Sequence, residues 1–485
     1  MSVRKLEPQI IWNHFEDLNA VPRPSKKEER IRQFMVDFGT NLGLETIVDK
    51  IGNVIIKKAA TSGMENRETV ILQGHIDMVH QKNSDTVFDF DTQGIQSYID
   101  GDWVKAKGTT LGADNGMGVA AAMSLLSSND YTHPALEALF TIDEETGMTG
   151  AMYLDGSLLT GKVLLNLDTE DDDEFSVGCA GGIDTNTSYT YKTQSVPSDY
   201  CAFTIDLRGL KGGHSGMDIH LGRGNANILM NRLIYAATQK FYIRITELEG
   251  GSLRNAIPRE SFGTVVLPAS EKQDFITFFN EFTELLNFEN SNSEPNMVFK
   301  LEETVLPVEM VSTEDHKKIL SVIYTTPNGV WKMSEKIEGL VETSSSFAKV
   351  IIRNGEFITQ SLQRSMVEAG KHDIANALRL TYELMGAEVI QGGDYPGWAP
   401  NPDSKILKVL ESKYVEMYNE QPRVQACHAG LECGILSEHI LDCDMISFGP
   451  TIKNPHSPDE KVNIASVQKF WNFLLEVLKE TPIKA

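Results

Sequence analysis

The chain has 485 residues, three to four times the ~150 of an average domain, so two domains, or one interrupted by another, is the expectation. Apolar residues make up 41% and charged residues 23%, the balance of a globular protein and not of a disordered one. The 44 basic and 68 acidic residues give a net charge of −24, which argues against nucleic acid and anionic membrane surfaces as partners.

The N-terminal stretch lacks the apolar core of a signal peptide, and no run reaches the ~18 apolar residues of a membrane span. Thr69–Gln73 (TVILQ) has the pattern of a buried strand. Gly116–Leu126 (GMGVAAAMSLL) has that of a helix, and Ala138–Ile142 and Val163–Leu167 are further buried strands. Strands separated by helices predict an α/β fold, a mostly parallel sheet with helices on both faces. The Gly-rich seam Gly178–Gly182 closes this region. Beyond it Ser188–Lys192 and Ala202–Leu207 alternate like half-exposed strands, helices are expected over 225–240 and 271–286, and 287–294 is polar and loop-like. A second break at 392–398 precedes renewed alternation through Met445–Phe448 and a final helix over 464–478. The economical division is a catalytic domain of residues 1–181 and 392–485, split by an inserted α+β domain of residues 182–391. Five cysteines, Cys179, Cys201, Cys427, Cys433 and Cys443, without a CxxC pair, fit reduced thiols in a cytoplasmic protein.

Acids and histidines recur just beyond these strands. His75 and Asp77 in GHIDMV lie two apart, so an extended backbone points both to one side. An imidazole with a carboxylate behind it suits metal binding, although the pair also fits a polar surface turn. Asp114 in GADNG stands at a helix mouth, where it could simply cap the helix. Glu144 and Glu145 are adjacent carboxylates that repel unless a cation or shared proton relieves them. Asp168 ends the third strand and heads the acidic run 168–174, the rest of which reads as solvated. His456 lies between prolines in NPHSPDE. Together these groups collect at the carboxyl ends of successive strands, where open α/β sheets build their sites. They are too many for one tetrahedral zinc and suit two metals sharing a bridging carboxylate.

The strings GHIDMV, GADNG, EETG, NLD and NPHSPDE resemble the co-catalytic di-zinc exopeptidases, which include carboxypeptidases, aminoacylases and dipeptidases. The longer strings GTTLGADNG, CAGGID, KGGHSG, NAIPRE, TTPNGV, HAGLECG and GPTIKNPHSPDE resemble the bacterial aminoacyl-histidine (Xaa-His) dipeptidases over nearly the whole chain. The resemblance implies two Zn²⁺ per chain, with Co²⁺ or Mn²⁺ as substitutes. His75, Asp114, Glu145, Asp168 and His456 are the implied ligands, Asp114 the bridge. Asp77 is implied to orient His75, and Glu144 to be the general base. A cis peptide is expected at Asp114–Asn115. In the inserted lid, His214 is implied to polarise the scissile carbonyl, and Asn255 and Arg364 to bind substrate. Arg364 suits a substrate carboxylate. Gly430 and Glu432 are expected to line the pocket, Glu432 facing the substrate amine. The string around Ser215 fails G-x-S-x-G, so no serine nucleophile is read there.

The implied activity is cleavage of Xaa-His dipeptides, and of other dipeptides, by a water whose proton Glu144 takes. A homodimer is the usual family state. Other uses of the scaffold are an N-acyl amino acid deacylase, a broader di- or tripeptidase, or a binding protein without catalysis.

Overall fold

The structure is a computed structural model, and it describes residues 2–83, 85–335, 337–401 and 403–484. The chain folds into two compact units. The first comprises Met1–Cys179, Trp398–Ala426 and Leu431–Ala485, and the second Ala180–Gly397 and Cys427–Gly430.

The first unit is built on an eight-stranded sheet. Its strands lie in the order Glu45–Val48, Val54–Lys58, Leu136–Thr141, Val70–His75, Val163–Asn166, Asp444–Ser447, Glu174–Cys179 and Arg423–Cys427. The four central strands are parallel, and antiparallel pairs flank them. Every residue of Val70–His75 and Leu136–Thr141 is buried, which explains their near-continuous apolar sequence. The helix Ala113–Ser127 is buried almost all round, as its Ala, Leu and Met content demands. The amphipathic helices Gln9–Asn19 and Ile464–Lys479 bury one face each. Trp12, Phe15 and Phe140 are fully buried, and truncating Phe140 to Ala costs about 3–5 kcal/mol. A four-stranded sheet adds the antiparallel pair Ile452–Lys453 and Lys461–Asn463. These two strands hold the loop that carries His456.

The second unit is a nine-stranded antiparallel sheet. Along Tyr200–Arg208 the residues Cys201, Phe203, Ile205 and Leu207 enter the core, while Thr204 and Asp206 face the other side. Helices Ala226–Thr238, Lys272–Glu289, Thr313–Thr325 and Glu368–Glu383 contribute to that core. The Asn225 side chain caps the first by accepting from the Asn227 and Ile228 N–H groups.

Three local expectations change. The break read at 392–398 is entered by a strand, Glu388–Tyr395, whose register shifts between Gly392 and Tyr395. It is an edge strand, and its glycines form an irregularity that edges tolerate. The helix ending near 286 runs on to Glu289. The acidic run is not simply solvated: Asp171 and Asp173 pair with Arg423, Asp171 also with Lys453, and Asp172 with Lys469. No helix among the described residues is long and apolar enough to cross a membrane.

Candidate active site

Three parallel strands deliver the groups. His75 is the last residue of its strand, with Asp77 just beyond. Glu144 and Glu145 open a one-turn helix after Thr141, and Asp168 follows Asn166. Asp143 enters that helical turn with a left-handed backbone, and its side chain is held by Lys26, Thr146 and Thr149. Asp114 stands at the mouth of Ala113–Ser127, where the Asp114–Asn115 peptide is cis. His456 comes from the loop between the strands of the smaller sheet.

Asp114 is the hub. Its Oδ1 lies 3.1 Å from His75 Nε2, and its Oδ2 lies 3.2 Å from His456 Nε2. His75 Nε2 is 3.6 Å from Asp168 Oδ1, and His456 Nε2 is 2.9 Å from Glu145 Oε2. Two donor sets therefore share one carboxylate: His75 with Asp168, and His456 with Glu145. Ligands bound near ~2.0–2.2 Å from one cation have donor atoms about this far apart. Ligand atoms of His75, Asp114 and Glu145 all lie within 4.8 Å of one another.

The electrostatics fit metal. Burial presses the Asp114 carboxyl upward, but the two imidazoles outweigh it and hold it below the usual range. The His456 imidazole is pushed up to about 11 by its contacts with Asp114 and Glu145. Burial takes Asp168 to about 6, and burial with the charges of Asp114 and Asp168 takes Glu170 to about 8. Burial also raises Glu144 well above the usual range. Asp168 Oδ1 is buried with no hydrogen-bond partner among the described residues. Crowded buried carboxylates with imidazole neighbours are what a pair of divalent cations would relieve.

Asp77 ties the parts together. Its Oδ1 lies 3.4 Å from His75 Nδ1 and accepts the Glu144 N–H. Its Oδ2 accepts the Glu145 N–H and the Ser25 hydroxyl. Glu432 is buried beneath the site, its Oε2 accepting from Gln73 Nε2 at 2.6 Å and the Thr141 hydroxyl at 2.8 Å. Its Oε1 has no partner among the described residues, and burial pushes the carboxyl up to about 7.

Four further expected residues belong to the second unit. His214 sits in a two-residue strand paired with Ala256–Ile257. Its Nδ1 accepts the Gly216 and Met217 N–H groups, so the proton is on Nε2. Burial and the nearby Arg364 charge lower it to about 4, which keeps the ring neutral at pH 7. Gly213, with φ of 142°, leaves room that a Cβ would contest with Arg223 and Asp218. Arg364 is buried, and its guanidinium donates to the Tyr395 hydroxyl at 2.8 Å. The Asn255 side chain is exposed, and its backbone carbonyl accepts the Ser215 N–H. Gly430 is half-buried in the loop Cys427–Gly430. His428, in the same loop, is buried against the Ser344 hydroxyl at 2.7 Å, and His80 meets the Phe90 ring edge-on.

Sequence reading passed over Arg23, Glu170 and Glu460. Glu460 stands inside the NPHSPDE string, four residues after His456, and that position was its only signal. Arg23 lies in a PRPS stretch that matches no motif.

Residues 71–480 match the model of peptidase family M20/M25/M40. The chain is 40% identical over 480 residues to the cytosol non-specific dipeptidase of Escherichia coli (strain K12), covering 99% of both chains. Among solved structures it is similar to the aminoacylhistidine dipeptidase of Vibrio alginolyticus. That match has a TM-score of 0.94 and 44% identity, and covers 100% of this chain and 99% of the other. A tripeptidase from Staphylococcus aureus shares the fold, with a TM-score of 0.56 at 14% identity over 98% of this chain and 99% of that one.

Proposed function

The chain belongs to peptidase family M20/M25/M40, and we propose that it is a dipeptidase that cleaves Xaa-His and other dipeptides with two divalent cations. It is a peptidase, and metal use belongs to its family. The observation that carries the proposal is the Asp114 carboxylate, each of whose oxygens faces a different imidazole, at 3.1 and 3.2 Å. The names of the Escherichia coli and Vibrio alginolyticus relatives support dipeptides as substrates, with C-terminal histidine among the accepted residues. The first name also supports a place in the cytosol.

His75 and Asp168 would hold one cation and His456 and Glu145 the other, with Asp114 between them. Imidazole and carboxylate donors suit Zn²⁺, with Co²⁺ or Mn²⁺ as substitutes. Such a pair supplies Lewis acidity toward a carbonyl and a water that ionises near neutral pH. The rest falls to the chain. Asp77 fixes the His75 ring and, through two N–H groups, the turn that carries Glu144. Glu144 takes the proton of the attacking water and returns it to the leaving amine. His214 offers its Nε2–H to the developing oxyanion. Arg364 takes the substrate's C-terminal carboxylate, which limits the substrate to dipeptide length. Asn255 and Gly430 contact substrate; Glu432, expected to receive the free amine, is instead buried with Oε2 taken by Gln73 and Thr141, and underpins the site. A homodimer is the assembly that the family resemblance implies, and sedimentation tests it.

The testing variants are Glu144→Gln and Asp114→Asn. Glu144→Gln should lower kcat by roughly a hundred- to ten-thousandfold and keep its metal content. Asp114→Asn should lose metal as well as activity. A fully active Glu144→Gln enzyme would remove Glu144 as the base, and an Asp114→Asn protein with normal metal content would remove the bridge.

A further inference from the structure

Two buried residues outside the donor sets meet at the loop that carries Asp114. Arg23 and Glu460 are each 2% exposed. The Glu460 carboxylate accepts four consecutive backbone N–H groups. Leu111 and Gly112 donate to Oε2 at 2.7 and 3.0 Å, and Ala113 and Asp114 donate to Oε1 at 2.8 and 3.3 Å. A run of N–H groups turned inward in this way is an anion nest, and Gly112, with φ of 68°, makes the turn. Arg23 grips the same loop from its carbonyl side, donating to Gly112 O at 2.6 Å. Its other terminal nitrogen donates to Ile76 O at 3.3 Å and Asp77 O at 3.0 Å, in the loop that follows His75. The Arg23 carbonyl also accepts the Met78 N–H. A Cβ on Gly112 would lie 2.5 Å from the guanidinium, so a side chain there would displace Arg23.

We propose that Arg23 and Glu460 are positioning residues, forming one clamp that sets the Asp114 loop against the His75–Asp77 loop and so fixes the separation of the two donor sets. The guanidinium fork is the feature that matters, because it reaches both loops at once. A lysine ammonium is a point charge on a flexible stem and cannot span them. A glutamine at 460 keeps one carbonyl oxygen for four donors and turns an amide NH₂ toward the others. The clamp rests on Asp114 being a metal ligand.

The test is Co²⁺ titration of the metal-free protein, followed by visible absorbance, for wild type, Arg23→Lys, Arg23→Met, Glu460→Gln and Asp114→Asn. Arg23→Lys, Arg23→Met and Glu460→Gln should weaken Co²⁺ binding by roughly ten- to a hundredfold, as loss of outer partners does, and shift the cobalt spectrum. Folded variants with wild-type affinity and spectrum would overturn the clamp, as would full recovery by Arg23→Lys, since charge alone would then suffice. If Asp114→Asn also binds cobalt as the wild type does, the ligand assignment fails instead. Should the variants not fold, exchange of the amides of residues 111–114 in the metal-free wild type is the deciding measurement. Protection equal to that of the helix interior supports the clamp, and exchange at loop rates overturns it.

Discussion

Asp77 gives one oxygen to His75 and the Glu144 N–H and the other to Ser25 and the Glu145 N–H, so a single carboxylate sets both the proposed ligand His75 and the turn of the proposed base Glu144. His214 is the opposite kind of residue, with one ring nitrogen spent on backbone and the other left as a neutral donor. His214→Ala should lower kcat by roughly a hundred- to a thousandfold without loss of bound metal. Metal analysis beside steady-state kinetics checks this, and loss of metal would show a different role. Arg364→Lys should raise KM roughly ten- to a hundredfold, since one charge-assisted hydrogen bond is worth about 1.5–3 kcal/mol. An unchanged KM would release Arg364 from carboxylate binding. His75, Glu145 and Asp168 were legible because each follows an apolar run, whereas Asp114 and His456 were legible only through the strings GADNG and NPHSPDE. Arg23 was not, because it acts on backbone carbonyls 53 and 89 residues away, and backbone atoms leave no mark in a sequence. Glu170 was hidden inside an acidic run in which Asp171 and Asp173 pair with Arg423 and Asp172 with Lys469.

The buried parallel strands and the helix Ala113–Ser127 could be read from composition, because full burial demands unbroken apolar residues. The strand Glu388–Tyr395 could not, because an edge strand with glycines reads like a turn. The helix Thr313–Thr325 carries its own test. Its His316 is buried, and its Nε2 has no partner among the described residues. Burial, with the charge of Arg244, lowers its pKa from 6.5 to about 3. Between those values the unfolded chain binds the proton and the folded chain does not. The stability is therefore whole above pH 6.5 and drains as pH falls toward 3, by about 1.4 kcal/mol per pH unit. Urea midpoints between pH 7 and 4 should fall less steeply for His316→Gln than for wild type. Identical slopes would mean that His316 does not titrate in this way.

A net charge of −24 sits with a site whose crowded carboxylates call for cations. We propose that these residues hold metal and that the metal serves dipeptide cleavage. The most direct measurement is hydrolysis of carnosine, Ala-His, Gly-Leu, a tripeptide and an N-acetyl amino acid by the purified protein, after chelation and again after adding zinc or cobalt. Chelation should silence the protein, and added metal should restore cleavage of dipeptides, led by the Xaa-His pair. Cleavage that survives complete removal of metal, or restored activity led by the N-acetyl substrate, would contradict this proposal.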